Sequence, residues 1–172
     1  NNIAAYCVSI KDFANAEKFF KKAIYGRKMY AEHSNNPNEW NHVAWTMVAL
    51  SSLYNELKRY EDAFNYLQEA TAIYERIAPT YYNNNEFFYG RLYDQWGWYY
   101  LQIKEYEKSD NSYLKAWDYF LISIKERTPE MHALNEMSRL LVWGIANTYN
   151  KLHKMDEVEH FYLELKKMYQ KY

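Results

Sequence analysis

The chain has 172 residues, the length of one domain and enough to bury a substantial core. Its 20 Tyr, 8 Phe and 6 Trp stand against only 4 Gly and 3 Pro, which favours a few long elements and excludes collagen-like, disordered and disulfide-framework chains. Lys plus Arg (21) nearly balance Asp plus Glu (22) at a net charge of -1, so the basic excess of a nucleic-acid binder is absent.

A single cysteine, Cys7, allows no internal disulfide and suits a reducing compartment, so a cytoplasmic location is expected. No apolar run approaches the roughly 20 residues that span a bilayer, and no membrane contact is expected. Nothing at the start resembles a signal peptide. The chain begins at Asn1 with a helical pattern already under way, and we expect it to be a fragment of something longer.

Taken in chain order, apolar periodicity predicts helices over 1–10, 12–33, 38–57, 60–78, 86–103, 105–127, 130–152 and 155–171. In the second of these, Lys18, Lys21, Lys22, Arg27 and Lys28 recur at helical spacing beside Glu17, as on a solvated outer face. Asn36-Pro37 leads into the third, where Val43, Met47, Leu50, Leu53, Tyr54 and Leu57 form an amphipathic stripe. The fourth carries Ala63, Phe64, Leu67, Ala70, Ile73, Tyr74 and Ile77, and Pro79 ends it. Asn83, Asn84 and Asn85 offer caps before Glu86, and Thr128-Pro129-Glu130 reads as an N-cap with Pro at the first helical position.

These helices come in pairs, because one pattern recurs four times. Phe13-x-x-Ala16-x-x-x-Phe20-x-x-Ala23 is followed by Tyr60, Ala63, Leu67 and Ala70, and then by Tyr106, Ser109, Tyr113 and Ala116. A degenerate copy has Met155, Val158, Tyr162 and Leu165. The anchors Phe13, Tyr60, Tyr106 and Met155 lie 47, 46 and 49 residues apart. Small residues seven apart let the first helix of a pair approach the second closely. A lone pair cannot cover its apolar face, so each must stack on the next. The expected fold is all-α, an α-α superhelix of about four stacked hairpins (1–33, 38–78, 86–127, 130–171) in one right-handed repeat domain.

The third copy carries Trp96-Gly97-x-x-Tyr100, then Tyr106, Ser109, Tyr113 and Ala116, and with it the chain resembles the tetratricopeptide repeat family. The spacing exceeds that family's usual repeat of about 34 residues and is similar to the long-helix variants of kinesin light chains and bacterial peptide-sensing regulators. The resemblance implies a concave groove lined by the first helix of each pair, with ligand contacts at Ser52 and Asn55 in the second copy. The third copy would supply Arg91, Asp94, Trp98 and Gln102, and the fourth Trp143, Asn147 and Lys151. Trp98 and Trp143 would anchor a peptide, while Asn55 and Asn147 would bond its backbone. The positions that clamp a C-terminal carboxylate in some members hold Val48/Ser52, Asp94/Trp98 and Trp143/Asn147, so that clamp is not present as a set. Gly97 falls at the family's small packing position.

Motifs for chemistry are absent. Gly26, Gly90, Gly97 and Gly144 are isolated and build no phosphate loop, and neither a serine elbow nor His-Glu-x-x-His occurs. Glu39…His42 and Glu157…His160 have the Glu-x-x-His spacing of di-iron bundles, but a repeat stack separates them. His132 and His153 read as turn or surface residues, and Glu61-Asp62 and Asp156-Glu157 complement helix dipoles. No enzyme, metal or cofactor is therefore expected. The resemblance implies a non-enzymatic interaction module that binds a peptide or protein segment and contacts no nucleic acid directly; its oligomeric state stays open. The alternative is a peptide-sensing regulatory domain that controls an attached output domain.

Overall fold

The computed structural model of the protein describes residues 2–77, 86–126 and 131–171. They form helices α1 (Asn2–Ser9), α2 (Phe13–His33), α3 (Glu39–Glu56), α4 (Tyr60–Ile77), α5 (Glu86–Gln102) and α6 (Tyr106–Glu126). Next come α7 (Met131–Arg139), a π-helical segment (Leu140–Ile145), α8 (Ala146–Leu152), a short 3-10 turn (Met155–Glu157) and α9 (Val158–Lys171). No strand occurs among the described residues. The fold is all-α and tetratricopeptide-like, with neighbouring helices paired as hairpins. The caps expected at Pro79, Asn83–Asn85 and Thr128–Glu130 lie outside the described residues.

Length alone suggests one domain, but the contacts divide the chain into two compact units, Asn1–Asn83 and Asn84–Tyr172. In the first, α1 pairs with α2 and α3 with α4, and the hairpins join where α2 packs on α3. In the second, α5 pairs with α6, which packs in turn against α7, the π-helical segment and α8.

What makes the copies equivalent is how each first helix stops. Lys11, Lys58, Lys104 and His153 all adopt left-handed backbone, with φ of 61°, 58°, 65° and 58°. Their spacing repeats that of the anchors two residues on. At each stop the following residue's N–H reaches back five positions, from Asp12 to Cys7, Arg59 to Tyr54, Glu105 to Tyr100 and Lys154 to Tyr149, at 2.8–2.9 Å. These bonds satisfy helix-end carbonyls that would otherwise lack donors. A side chain in left-handed backbone is strained where glycine is not. Lys58→Gly should therefore raise the unfolding free energy by about 1 kcal/mol in a urea titration; a loss would mean that the Lys58 side chain makes a compensating contact.

Small residues sit where the pairs close. Ala16, Ala63, Ala70 and Ala116 are buried, while Ala23 is only partly so. Ser109 replaces alanine in the third copy and uses its hydroxyl: Oγ donates to the Gly97 carbonyl at 2.9 Å and pairs with Thr148 Oγ1 at 2.9 Å. One side chain thus ties α6 to both α5 and α8. In the first unit Glu17 has the tying role. It takes bonds from Tyr54 Oη (3.0 Å), Lys21 Nζ (2.7 Å) and Arg59 Nη1 (2.7 Å), joining α2 to α3 and to the turn before α4.

The fourth first-of-pair helix departs from its expected uninterrupted form. Through Leu140–Ile145 it widens into π geometry, closed by the Ala146 N–H to the Leu141 carbonyl. This segment lies opposite Tyr113. A methyl group built on Gly144 would stand 2.6 Å from Tyr113 Cε1, and one on Gly97 would stand 2.6 Å from Cδ1 of the same ring. Tyr113 is a wedge held between two glycines of two first-of-pair helices, so the packing role expected for Gly97 is a literal one.

Candidate functional site

Residues four apart on a helix share a face. On α5 this aligns Asp94, Trp98 and Gln102, and on the fourth first-of-pair helix it aligns Arg139, Trp143, Asn147 and Lys151. The two rows line one cavity of about 630 Å³ in the second unit, with Tyr113 and Gly144 at its back and Leu101, Lys104 and Tyr106 at the α5–α6 turn. Six expected positions therefore meet here: Asp94, Trp98, Gln102, Trp143, Asn147 and Lys151. Trp143 is 69% exposed and Trp98 partly buried, so neither indole is consumed by the core.

The remaining three lie elsewhere. Arg91 does not line the cavity; its Nη1 donates to Glu136 Oε2 at 2.5 Å. Ser52 is partly buried on α3 in the first unit. Asn55, expected to bond a peptide backbone, is only 2% exposed and so is not open to a ligand. The cause is a register slip. Gln102 and Lys151 stand two residues ahead of their helix stops and Asn55 stands three, which turns it about 100° around the helix. The matching position is Glu56, which is exposed.

Charge organises one wall. Arg139 Nη2 donates to Asp94 and Arg139 Nε to Glu136 Oε2 (3.0 Å), while Arg91 holds Glu136 from the other side. Gln95 Nε2 adds a 3.1 Å bond to Asp94. These four charges cancel and rivet α5 to α7. Burial alone would raise the Glu136 carboxyl, but the positive charges of Arg91 and Arg139 outweigh it and hold the group below its ordinary value. Burial, helped by the Asp94 charge, pushes the Tyr113 phenol well up, so its hydroxyl stays protonated.

The opposite rim differs. The side chains of Lys104 and Lys151 line the cavity and make no ion pair or hydrogen bond among the described residues. Asn147 spends its Nδ2 on the Trp143 carbonyl at 2.8 Å, which fixes the amide and leaves Oδ1 as an acceptor. The arrangement offers two indoles, the Asn147 and Gln102 amides and two free positive charges around a space of peptide side-chain size. Sequence reasoning missed Arg139, Lys104 and Tyr106. Arg139 was accessible to it, one turn ahead of Trp143 in the same row; Lys104 lies in the α5–α6 turn and Tyr106 opens α6.

Among the described residues no three His, Cys, Asp or Glu side chains come together as a metal site. No described helix is long and apolar enough to cross a membrane.

Hairpins with a small-residue seam and a ligand-sized hollow define a helical-repeat protein. Residues 1–76 match the tetratricopeptide repeat family. Repeats of this family generally mediate protein–protein interactions and are typically non-enzymatic. No curated protein matches the chain.

Proposed function

We propose that the chain is a protein-interaction module whose second unit holds a short peptide segment in the cavity between α5 and the α7–α8 region. The observation that carries this reading is the convergence of Trp98, Trp143 and the uncommitted Lys104 and Lys151 on one hollow. An apolar side chain of the segment packs between the indoles, which supply large contact area at small entropic cost. A carboxylate of the segment meets the lysines, and Asn147 Oδ1 accepts from its backbone. Rigid hairpins keep these groups in place, so little receptor ordering is lost on binding.

An array of short synthetic peptides, varied in aromatic and acidic content, tests this. The wild-type chain should retain acidic, aromatic-bearing peptides above the others. Trp143→Ala should weaken that retention by about tenfold or more while moving stability by no more than about 0.5 kcal/mol, because the side chain is mostly in solvent. Retention that ignores both Trp143→Ala and Trp98→Ala would dismiss the cavity as the site.

A further inference from the structure

Two first-of-pair helices stack on the second-of-pair helix before them within their own unit, α3 on α2 and the fourth one on α6, so they can be compared position by position. Met137, Leu140 and Leu141 follow Val43, Thr46 and Met47 by 94 residues, and all six are buried. Further along the offset is 95: Ile145, Thr148 and Tyr149 answer Leu50, Leu53 and Tyr54, again all buried. Between these matched blocks α3 has Val48 and Ala49, whereas the fourth first-of-pair helix has Val142, Trp143 and Gly144. One residue more fills the same interval. The helix absorbs it in π geometry, where the Ala146 N–H reaches the Leu141 carbonyl five positions back.

The added residue changes which side chains reach the cavity. An α-helix turns about 100° per residue, so the twelve steps from Arg139 to Lys151 would leave those two about 120° apart. Absorbing one residue reduces the angle to about 20°, and Arg139, Trp143, Asn147 and Lys151 all line one hollow. Of the two exposed side chains in the widened turn, Trp143 lines the cavity and Val142 does not. We propose that the π-helical segment is a one-residue insertion that places the Trp143 indole in the cavity and so sets its selectivity for aromatic-bearing peptides. This rests on the peptide-holding reading of the cavity. Val142 acts in it only as length, and Lys104 and Lys151 lie outside the segment, so the preference for acidic peptides does not depend on the insertion.

Deleting Val142 tests this, because both matched blocks keep their register and the segment regains α-helical bonds. Trp143 then turns by about 60° around the helix. On the peptide array the deletion variant, folded by circular dichroism, should lose about tenfold in its preference for aromatic-bearing over aromatic-free acidic peptides. It should still retain acidic peptides above neutral ones. Val142→Ala keeps the length and should behave as wild type. Val142→Trp combined with Trp143→Val moves the indole by one position between two exposed sites, 60% and 69%. That exchange should lose the same preference, and it decides the matter if the deletion variant does not fold. A deletion or exchange variant with the wild-type preference overturns the proposal, and so does a Val142→Ala variant that loses it. A wild-type chain that retains no acidic, aromatic-bearing peptide instead fails the reading of the cavity itself, and the role of the insertion with it.

Discussion

Tyr113→Ala is expected to lower the unfolding free energy by about 3–5 kcal/mol, the cost of emptying a large aromatic site in a packed core. The ring is buried and touches both Gly97 and Gly144, so its loss opens a void between three helices at once. The converse changes crowd the same space. Gly97→Ala and Gly144→Ala should each cost about 1–3 kcal/mol, since a methyl group 2.6 Å from a clamped ring forces something to move. Combined with Tyr113→Leu, either alanine should cost clearly less than it does alone, because the atoms it strikes are gone. Urea titrations of these variants form a closed cycle. Strictly additive effects would mean that the wedge is not what joins the hairpins.

The second large effect lies in the charged rivet. Arg139→Met should destabilise the chain by about 3 kcal/mol, the low end for breaking a buried pair, because the arginine side chain is itself 40% exposed. The penalty falls on Asp94, whose side chain is 3% exposed and keeps only the Gln95 amide as an observed donor. Lys108→Met, which breaks an open pair with Glu105, should change stability by less than about 0.5 kcal/mol. Equal losses in the two variants would contradict the burial argument. Acid provides an independent reading. The Glu136 carboxyl is held below its ordinary 4.5 when folded, so its contribution is complete above that value and is lost as pH falls through the depressed one. Glu136→Gln removes this dependence, and its stability should fall less steeply than wild type over that acid range.

The helix pairs were legible because their punctuation has constant length. From Cys7, Tyr54, Tyr100 and Tyr149 to the anchors the chain always spends six residues, and those same four carbonyls accept the terminating bonds. The π-helical segment was not legible. Leu140–Ile145 has the apolar character of any buried helix, and the ring that its Gly144 packs against comes from another helix. The cavity's rows could be read from four-residue spacing on α5 and on the helix carrying Trp143. Their facing each other, and the Asp94–Arg139 pair across 45 residues of chain, are properties of packing. Asn55 shows the limit of carrying positions between copies: a slip of one residue moves a side chain from a groove to a core.

Tyr113 is both the back wall of the cavity and the ring on which two hairpins shut. Occupancy and folding therefore draw on one side chain, and any compound that settles in the hollow registers as a rise in melting temperature. Ligand discovery for this chain can accordingly begin label-free, with a thermal screen of unbiased compounds rather than a guess at the natural occupant.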